Sequence, residues 1–207
     1  MSTPGYQISI KKSGVSTSFT GEACSNTTGN TYQIDDTNKR VFDRDVTPTF
    51  YANGVAILAA DIASIDYLYG KVTFTGSETE PITVDGAYMP MVEVAGCKEG
   101  TLNRTSAIHD HTDTSNTGYH TKMTGLHDVT ITVGRFDDIS HAFTDLIVSR
   151  TPVVVEFSPA PTKTYRGWFI CESSGQNLDL NALIEESLSF QLAGNDELGK
   201  TFTRSDR

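Results

Sequence analysis

The stretch "HDVTITVGRF", residues 127–136, decides the fold class of this chain. Apolar and polar residues alternate along it: Val129, Ile131 and Val133 on one side, Asp128, Thr130 and Thr132 on the other. Successive side chains of a β-strand point to opposite faces of the sheet. The period of two therefore predicts a half-buried strand with one apolar and one polar face.

A second stretch, "IEESLSFQL" at residues 184–192, has the same period. Its apolar face carries Ile184, Leu188, Phe190 and Leu192, and its polar face carries Glu185, Ser187, Ser189 and Gln191. Two hairpins are predicted earlier in the chain, at Asn53-Gly54 and at Gly70, because these residues favour the positive φ angles of tight turns. The sequence is therefore mainly β.

One helix interrupts the strands, in "DDISHAFTDLIVSR" at residues 137–150. Asp137 or Asp138 is a suitable N-cap, and Pro152 lies just beyond Arg150, where a helix commonly ends. The apolar side chains recur at helical spacing: Ile139, Phe143, Leu146 and Ile147. This periodicity predicts a helix with one buried stripe.

Composition limits the classes of function. The chain has 207 residues, 37% hydrophobic and 20% charged, with a formal net charge of −10. This charge argues against tight binding to a nucleic-acid backbone. An odd set of three cysteines without a C-x-x-C pair suits a reducing compartment. No apolar run approaches membrane-spanning length and no signal-peptide core is present, so we expect a protein kept in a cytosol or built into a particle assembled there.

No repeat or linker divides the chain cleanly. A soft boundary near residue 95 separates a hairpin-rich part, 1–95, from a β-sandwich core with the helix, 96–194. A flexible C-terminal tail is expected at 195–207, since "FTRSDR" is short and polar.

The segment "GNDELGKT", residues 194–201, matches the G-x-x-x-x-G-K-[ST] pattern of phosphate-binding loops. Such a loop needs a helix after it to hold the phosphates, and the residues that follow are too few and too polar to supply one. Asp196 and Glu197 also place negative charge where a polyphosphate would lie. We therefore interpret Gly194 as a strand end and predict no nucleotide cofactor.

The segment "HDHTDTSNTGYH", residues 109–120, could supply three zinc ligands from His109, His111 and His120. It is also rich in turn formers and lacks a partner motif at a recurring spacing, which favours a surface loop. No serine elbow, Cys-His arrangement or segregated carboxylate pair stands out elsewhere. We predict no metal site, no catalytic site and no enzymatic activity. An enzyme or metalloprotein that uses the C-terminal loop or this histidine-bearing loop is the open alternative.

Five stretches in order carry a resemblance to a known family: "YQIDDTNKRVFDRDVTPTFYANG", "SIDYLYGKVTFTG", "VDGAYMPMVEVAGCKEGTLNR", "DTSNTGYHTKMTGLHDVTITVGRFDD" and "LNALIEESLSFQLAG". Over roughly residues 6–194 the chain resembles the major tail (tail tube) proteins of long-tailed, non-contractile bacteriophages. The family's Gly-Leu-x-Asp is met by Gly125, Leu126 and Asp128. Its closing S-x-S-F-x-x-x-G is met by Ser187, Ser189, Phe190 and Gly194.

The resemblance implies two packed β-sheets, sandwich-like or barrel-like, with one flanking helix. It further implies a virion protein, assembled in the host cytoplasm, whose hexameric rings stack into a tube that conducts DNA without binding it specifically. Tape-measure and tail-terminator proteins would be its partners, with no membrane and no cofactor. Gly194 and the strand "ESLSFQL" are the first place to look for an edge that joins subunits.

DNA must not adhere to the wall of such a tube, so the lining should be acidic or small and polar. The alternation of the two stretches offers the candidates for the lumen: Asp128, Thr130, Thr132, Glu185, Ser187, Ser189 and Gln191. An ordinary solvent-facing sheet would show the same alternation. A β-sandwich binding module of a neck, baseplate or adhesin remains the alternative function.

Overall fold

The computed structural model of the chain describes residues 9–94, 97–110, 122–136, 144–160, 163–177, 185–193 and 202–206. These residues form two β-sheets, of eight and seven strands, in which every pairing given for the strands is antiparallel. The described part also contains one α-helix, so the mainly β fold class predicted from the sequence is confirmed.

The eight-stranded sheet has the order β10-β11-β14-β13-β12-β1-β9, and β15 also pairs with β13. Its strands are β1 (Ser9–Ser13), β9 (Met91–Glu93), β10 (Cys97–Asp110), β11 (Lys122–Phe136), β12 (Val153–Ala160), β13 (Lys163–Asn177), β14 (Glu185–Leu192) and β15 (Phe202–Asp206). The strand β14 lies between β11 and β13. The expectation that "ESLSFQL" forms a joining edge is therefore wrong, because both sides of that strand are already paired within the chain.

The seven-stranded sheet has the order β5-β4-β8-β2-β3-β7-β6. Its strands are β2 (Thr17–Thr28), β3 (Thr31–Ile34), β4 (Thr49–Ala52), β5 (Val55–Ala56), β6 (Ile62–Asp66), β7 (Lys71–Phe74) and β8 (Ile82–Tyr88). Both predicted hairpins are present. Asn53 and Gly54 have φ angles of 48° and 80° between β4 and β5, and Gly70 has 58° between β6 and β7.

The helix α1 covers Thr144–Ser149. It ends at Arg150, whose φ of 53° turns the chain out of the helix while its N–H still donates to the carbonyl of Leu146 at 2.9 Å. The predicted helix begins earlier, at 137, and residues 137–143, with Ile139 and Phe143, lie outside the described residues. The end of the helix is confirmed.

Two compact units divide the chain. The first unit contains Met1–Val94, Val153–Trp168 and Ala193–Arg207, and the second contains Ala95–Pro152 and Phe169–Leu192. The units therefore do not follow the sequential parts 1–95, 96–194 and 195–207. That three-part division stays a prediction about how the chain folds.

The prediction of a flexible C-terminal tail at 195–207 needs one correction. Phe202–Asp206 forms β15, which pairs with Lys163–Gly167 of β13. Backbone N–H and C=O groups need partners whatever the side chains are, and the edge of β13 supplies them. The polar side chains of this segment therefore did not predict its backbone structure.

The core of the first unit is largely aromatic. Phe19, Phe42, Phe50 and Phe74 are buried together with Tyr32, and their ring centroids lie about 6 Å apart. Rings at this distance, stacked or edge to face, add stabilisation beyond the apolar area that they bury. A second cluster in the same unit joins Leu68 and Tyr69 to Val154 of β12 and Trp168 of β13.

Candidate functional site

The candidate site is one face of the second unit's sheet, which we call the polar face. The structure brings the seven predicted residues together on it. Register pairs Thr130 with Gln191 and Thr132 with Ser189, so these side chains lie beside one another on β11 and β14. All seven are half-buried or exposed: Asp128, Thr130, Thr132, Glu185, Ser187, Ser189 and Gln191.

The polar face continues onto both neighbouring strands. On β10, Thr101 pairs with Thr132 and Asn103 pairs with Thr130. On β13, Ser173 pairs with Ser189 and Gly175 pairs with Ser187. These four residues were not among the predicted site residues, because neither β10 nor this end of β13 alternates clearly between apolar and polar residues. Knowledge of the register was needed to find them.

Charged groups on the polar face are held by neighbours. The side-chain amide of Gln191 donates to Asp128, with Nε2 and Oδ2 at 3.3 Å. The Lys98 ammonium contacts Glu185, with Nζ and Oε1 at 2.6 Å, and this hydrogen bond raises the pKa of Lys98. Lys98 therefore places a cation on this face that is already paired with a carboxylate.

Glu99 lies across the polar face above Gly134. A Cβ atom at position 134 would lie 2.8 Å from both Cγ and Oε1 of Glu99, which is closer than such atoms approach one another. The absence of a side chain at Gly134 lets the Glu99 chain lie flat on the sheet. Glu99 thus adds to the polar face a carboxylate that the alternation pattern did not identify.

The opposite face of the same strands is buried. It carries Val129, Ile131, Val133, Leu188 and Phe190, as the alternation predicts. It also buries a charged pair that the prediction missed. Nη2 of Arg135 lies 2.6 Å from Oε2 of Glu186, and the Ser174 hydroxyl donates to Oε1 of Glu186 at 2.7 Å.

This buried pair had a signal in the sequence. Counting in steps of two places Arg135 with Val133 and Glu186 with Leu188, so two opposite charges fall on the apolar faces of two strands. A charge buried in this way needs a partner of opposite sign, and Arg135 and Glu186 are partners of one another. The pair is a structural feature of the core rather than part of the polar face.

Two of the described thiols, those of Cys24 and Cys171, are poorly suited to nucleophilic chemistry. Burial, with Asp35 and Glu22 nearby, raises the pKa of Cys24 to about 12, and burial together with Glu186 raises that of Cys171 to about 11. The thiolate is the reactive form of cysteine, so a raised pKa makes it scarce at neutral pH. Over the residues that the structure describes, no group of three His, Cys, Asp or Glu side chains could hold a metal ion.

Two sequence motifs fall largely outside the described residues. Residues 111–121, with His111 and His120, and residues 194–201 of the phosphate-loop pattern are both in this position. His109 is described only as backbone, near the end of β10. The residues that follow the pattern form the strand β15, whereas a phosphate-binding loop requires a helix there.

The first unit has a cavity of about 520 Å³. Most of its lining is apolar and comes from β4, β6 and the chain between them, including Phe50, Ile57, Ile62, Ile65 and Tyr67. Several of these side chains also pack against the aromatic core, so the cavity opens directly onto that core. Its lining includes no carboxylate, imidazole or thiol.

Among the described helical residues, none forms a helix of the length and hydropathy that a bilayer crossing demands. Neither a protein-family model nor a curated protein sequence matches the chain.

Two chains of solved structures are similar in fold. One comes from the tail of an empty gene transfer agent particle with C6 symmetry, with a TM-score of 0.47 and 12% identity, over 57% of this chain and 87% of that chain. The other comes from the virion of a native gene transfer agent particle, with a TM-score of 0.46 and 14% identity, over 56% and 88%.

Proposed function

We propose that this protein is the structural subunit of a phage-type tail tube, in which hexameric rings stack around a lumen that conducts DNA. The family resemblance of residues 6–194 suggests the assembly. The observation that carries the proposal is the polar face of the second unit, backed by a buried apolar face on the same strands. The wall of a tube needs such a sheet, because one face packs against the core of the subunit and the other face lines the channel.

The chemistry of the polar face suits a DNA-conducting lumen. Its central rows are Thr, Ser and Gly, and its carboxylates are Glu99, Asp128 and Glu185. Six chains of formal charge −10 give a ring of −60, with histidines neutral. Carboxylates repel phosphates over a Debye length of about 10 Å at 0.1 M salt. The paired Lys98 would leave little free positive charge to hold the duplex.

The assembly is tested by electron microscopy of the purified protein over a range of concentrations. We expect rings or tubes at high concentration, or a monomer that polymerises once nucleated by tail tips. A protein that stays monomeric under both conditions, and is present in its virion at only a few copies, would rule out the tube. Tape-measure and terminator proteins are the partners that such a tube requires.

The lumen is tested with two variants of equal charge. Thr132→Lys adds a lysine to the polar face, and Thr20→Lys adds one to an exposed position in the first unit. If the polar face lines the channel, tubes of the first variant retain short DNA duplexes while tubes of the second do not. Equal retention by both variants, or lysines located on the outside of an assembled structure, would disprove the lumen assignment.

A β-sandwich binding module of a neck, baseplate or adhesin is the second candidate function. The apolar cavity of about 520 Å³ in the first unit favours it, because ligand sites are commonly concave, largely apolar and of this volume. A module of this kind would be a monomer that binds through the cavity. Ile65→Arg should then abolish binding of the partner, whereas it should leave tube formation intact if the subunit is structural.

A further inference from the structure

The apolar cavity of the first unit lies between the two ends of the seven-stranded sheet. Part of its lining comes from β4, next to the end strand β5, and part comes from β6, the strand at the opposite end. The chain between β5 and β6 adds a third side. There the Ile57 N–H donates to the Phe50 carbonyl at 2.8 Å, and Ala59–Asp61 forms a 3₁₀ turn. In the described sheet the two ends do not pair with each other, so the space between them stays open.

The lining of this cavity is an uncovered part of the aromatic core. Phe50 is 1% exposed and packs edge to face on Phe74, with ring centroids 6.0 Å apart. Ile57, Ile62 and Ile65 pack against the same core but are only partly buried. Among the described residues that line the cavity, none is charged. Removing this apolar surface from water is favourable, so the cavity suits an apolar ligand.

The charges beside the cavity are all negative. Residues 45–70 contain every described lining residue, and they include three aspartates and no Lys, Arg or His. Asp45 lies two residues before the lining residue Thr47, and Asp61 directly precedes Ile62. Within the described chain, neither of these two carboxylates belongs to an ion pair. A ligand at this cavity therefore meets an apolar wall and an acidic surround.

Exposed apolar side chains adjoin the lining. Leu58, between the lining residues Ile57 and Ala59, is 70% exposed, and Val46, directly before Thr47, is 39% exposed. Single exposed apolar residues need no explanation, whereas a group of them beside an apolar cavity marks a binding surface. An apolar ligand that extends beyond the cavity would continue onto these side chains.

We propose that this cavity binds a small amphiphile with an apolar body and a cationic group. The body would lie between the two ends of the sheet, over Phe50 and the partly buried isoleucines. The cationic group would stay in water near Asp45 and Asp61, because an uncharged lining offers it no partner. The same carboxylates would repel an anionic group. This site goes beyond the proposed tube function and does not depend on it.

Two amphiphiles with the same chain and opposite charge test the site. Dodecyltrimethylammonium and dodecanoate are titrated into the full-length monomer at neutral pH, below their micelle concentrations, with calorimetric detection. The cation should bind saturably at one site, with a negative change in heat capacity, because apolar surface leaves water. Dodecanoate should bind more weakly by about threefold or more, because like charges repel. Binding that does not saturate, or dodecanoate binding as tightly as the cation, would overturn the proposal.

Two matched tryptophan variants locate the binding. Ala59 and Ala60 are both exposed, but only Ala59 is among the described lining residues. Ala59→Trp should weaken binding of the cation by about tenfold or more, because the indole occupies apolar surface that the ligand would cover. Ala60→Trp should bind like the wild type. If Ala59→Trp does not fold, Ser64→Phe in the lining is compared with Ala63→Phe outside it. Wild-type affinity in the lining variants would mean that the cation adsorbs elsewhere, and the site would be disproved.

The acidic surround is tested by Asp61→Asn. This variant should narrow the difference in affinity between the two amphiphiles, because it removes one of the carboxylates that distinguish them. An unchanged difference would contradict the role given to the charge. Electron microscopy of the same variants separates the two proposals. Tubes from a variant that binds no amphiphile leave the tube function standing, and binding by a protein that forms no tubes leaves the cavity site standing.

Discussion

The strands of the two units use the same alternation of side chains for different purposes. In the first unit it fills an aromatic core, and the strands at the edges are short. In the second unit the alternation separates a buried apolar face from the polar face, and among the described strands β10 is paired on one side only. Short or bulged edges suit a sheet that needs no partner, whereas long regular edges suit one that is completed by another chain.

The comparison teaches how to recognise a subunit of an assembly from a single chain. Alternation alone identifies strands in both units and does not distinguish them. The distinction comes from what the exposed face carries and from how the edges end. The second unit has small polar residues and paired charges on its face, together with a regular edge of eight residues, Glu99–Ser106.

The largest expected effect concerns the buried charges of the second unit. Arg135→Ala should lower the free energy of unfolding by about 3–5 kcal/mol, because it leaves Glu186 buried without its cation. Both side chains are about 1% exposed. Urea denaturation of the monomer measures the change. The double replacement Arg135→Met with Glu186→Leu is the control and should recover most of the loss, since it leaves no unpaired charge.

A loss below about 1 kcal/mol for Arg135→Ala would mean that the pair is solvated, as surface pairs are. The second unit would then lack a firmly packed buried face. Its contrast with the aromatic core of the first unit would then extend to stability as well as to surface chemistry.

Part of this fold was predictable from the sequence because strand alternation is local. It assigned Val129, Ile131 and Phe190 to the buried face and the seven polar residues to the opposite one. The order of strands is not local, because it depends on which distant segments pair. For that reason the sequence placed a joining edge at β14, which has neighbours on both sides, and overlooked the edge at β10.

The candidate site was predictable to the same degree. Two of its strands have clear alternation, and the residues on them were identified. Lys98 lies in a bulge of β10 and Glu99 follows that bulge, which breaks the period of two and hides the face on which they lie. β15 was missed because its short, polar sequence carries no clear alternation, whereas the strand itself is defined by its backbone pairing with β13.

A second prediction compares two glycines of the first unit. Gly70 has a φ of +58°, and a Cβ there would lie 2.8 Å from Cγ2 of Ile34 and 2.9 Å from the carbonyl oxygen of Arg40. Gly54 has a φ of +80° with open space around it. Backbone strain at a positive φ costs each alanine variant about 1–3 kcal/mol. Gly70→Ala should therefore lower the free energy of unfolding more than Gly54→Ala does, and the difference is the cost of the collision with Ile34 and Arg40. Thermal unfolding of both variants measures the difference.

Equal losses of stability in the two glycine variants would mean that Ile34 and the backbone at Arg40 move aside at little cost in free energy. The first unit would then be less tightly packed around its aromatic core than the contacts of Gly70 indicate.

A third prediction concerns the buried carboxylate of the first unit. Burial raises the pKa of Glu156, but Arg166 at 2.5 Å and Lys11 at 3.3 Å more than offset this, and the net shift is downward. A lowered pKa contributes stability above the unfolded value of about 4.3, which is lost as the pH falls through the folded value. The stability difference between wild type and Glu156→Gln should therefore shrink on acidification from pH 7.

Urea titrations of both proteins between pH 7 and pH 3 measure this difference. Lys11→Met should weaken the pH dependence without removing it, because Arg166 contributes more than Lys11. A difference that stays constant down to pH 3 would show that the lowered pKa is not realised in solution.

The smallest expected effect concerns Gly134 on the polar face. Its Cβ would collide only with the flexible side chain of Glu99, which can swing away, so Gly134→Ala should change the free energy of unfolding by no more than about 0.5 kcal/mol. With Glu99→Ala already present, the same change should stabilise by about 0.5–1 kcal/mol, because glycine weakens a strand interior. Denaturation of the four proteins in this cycle isolates the contact. A coupling near zero would mean that Glu99 does not lie across Gly134, and its carboxylate would then be removed from the polar face.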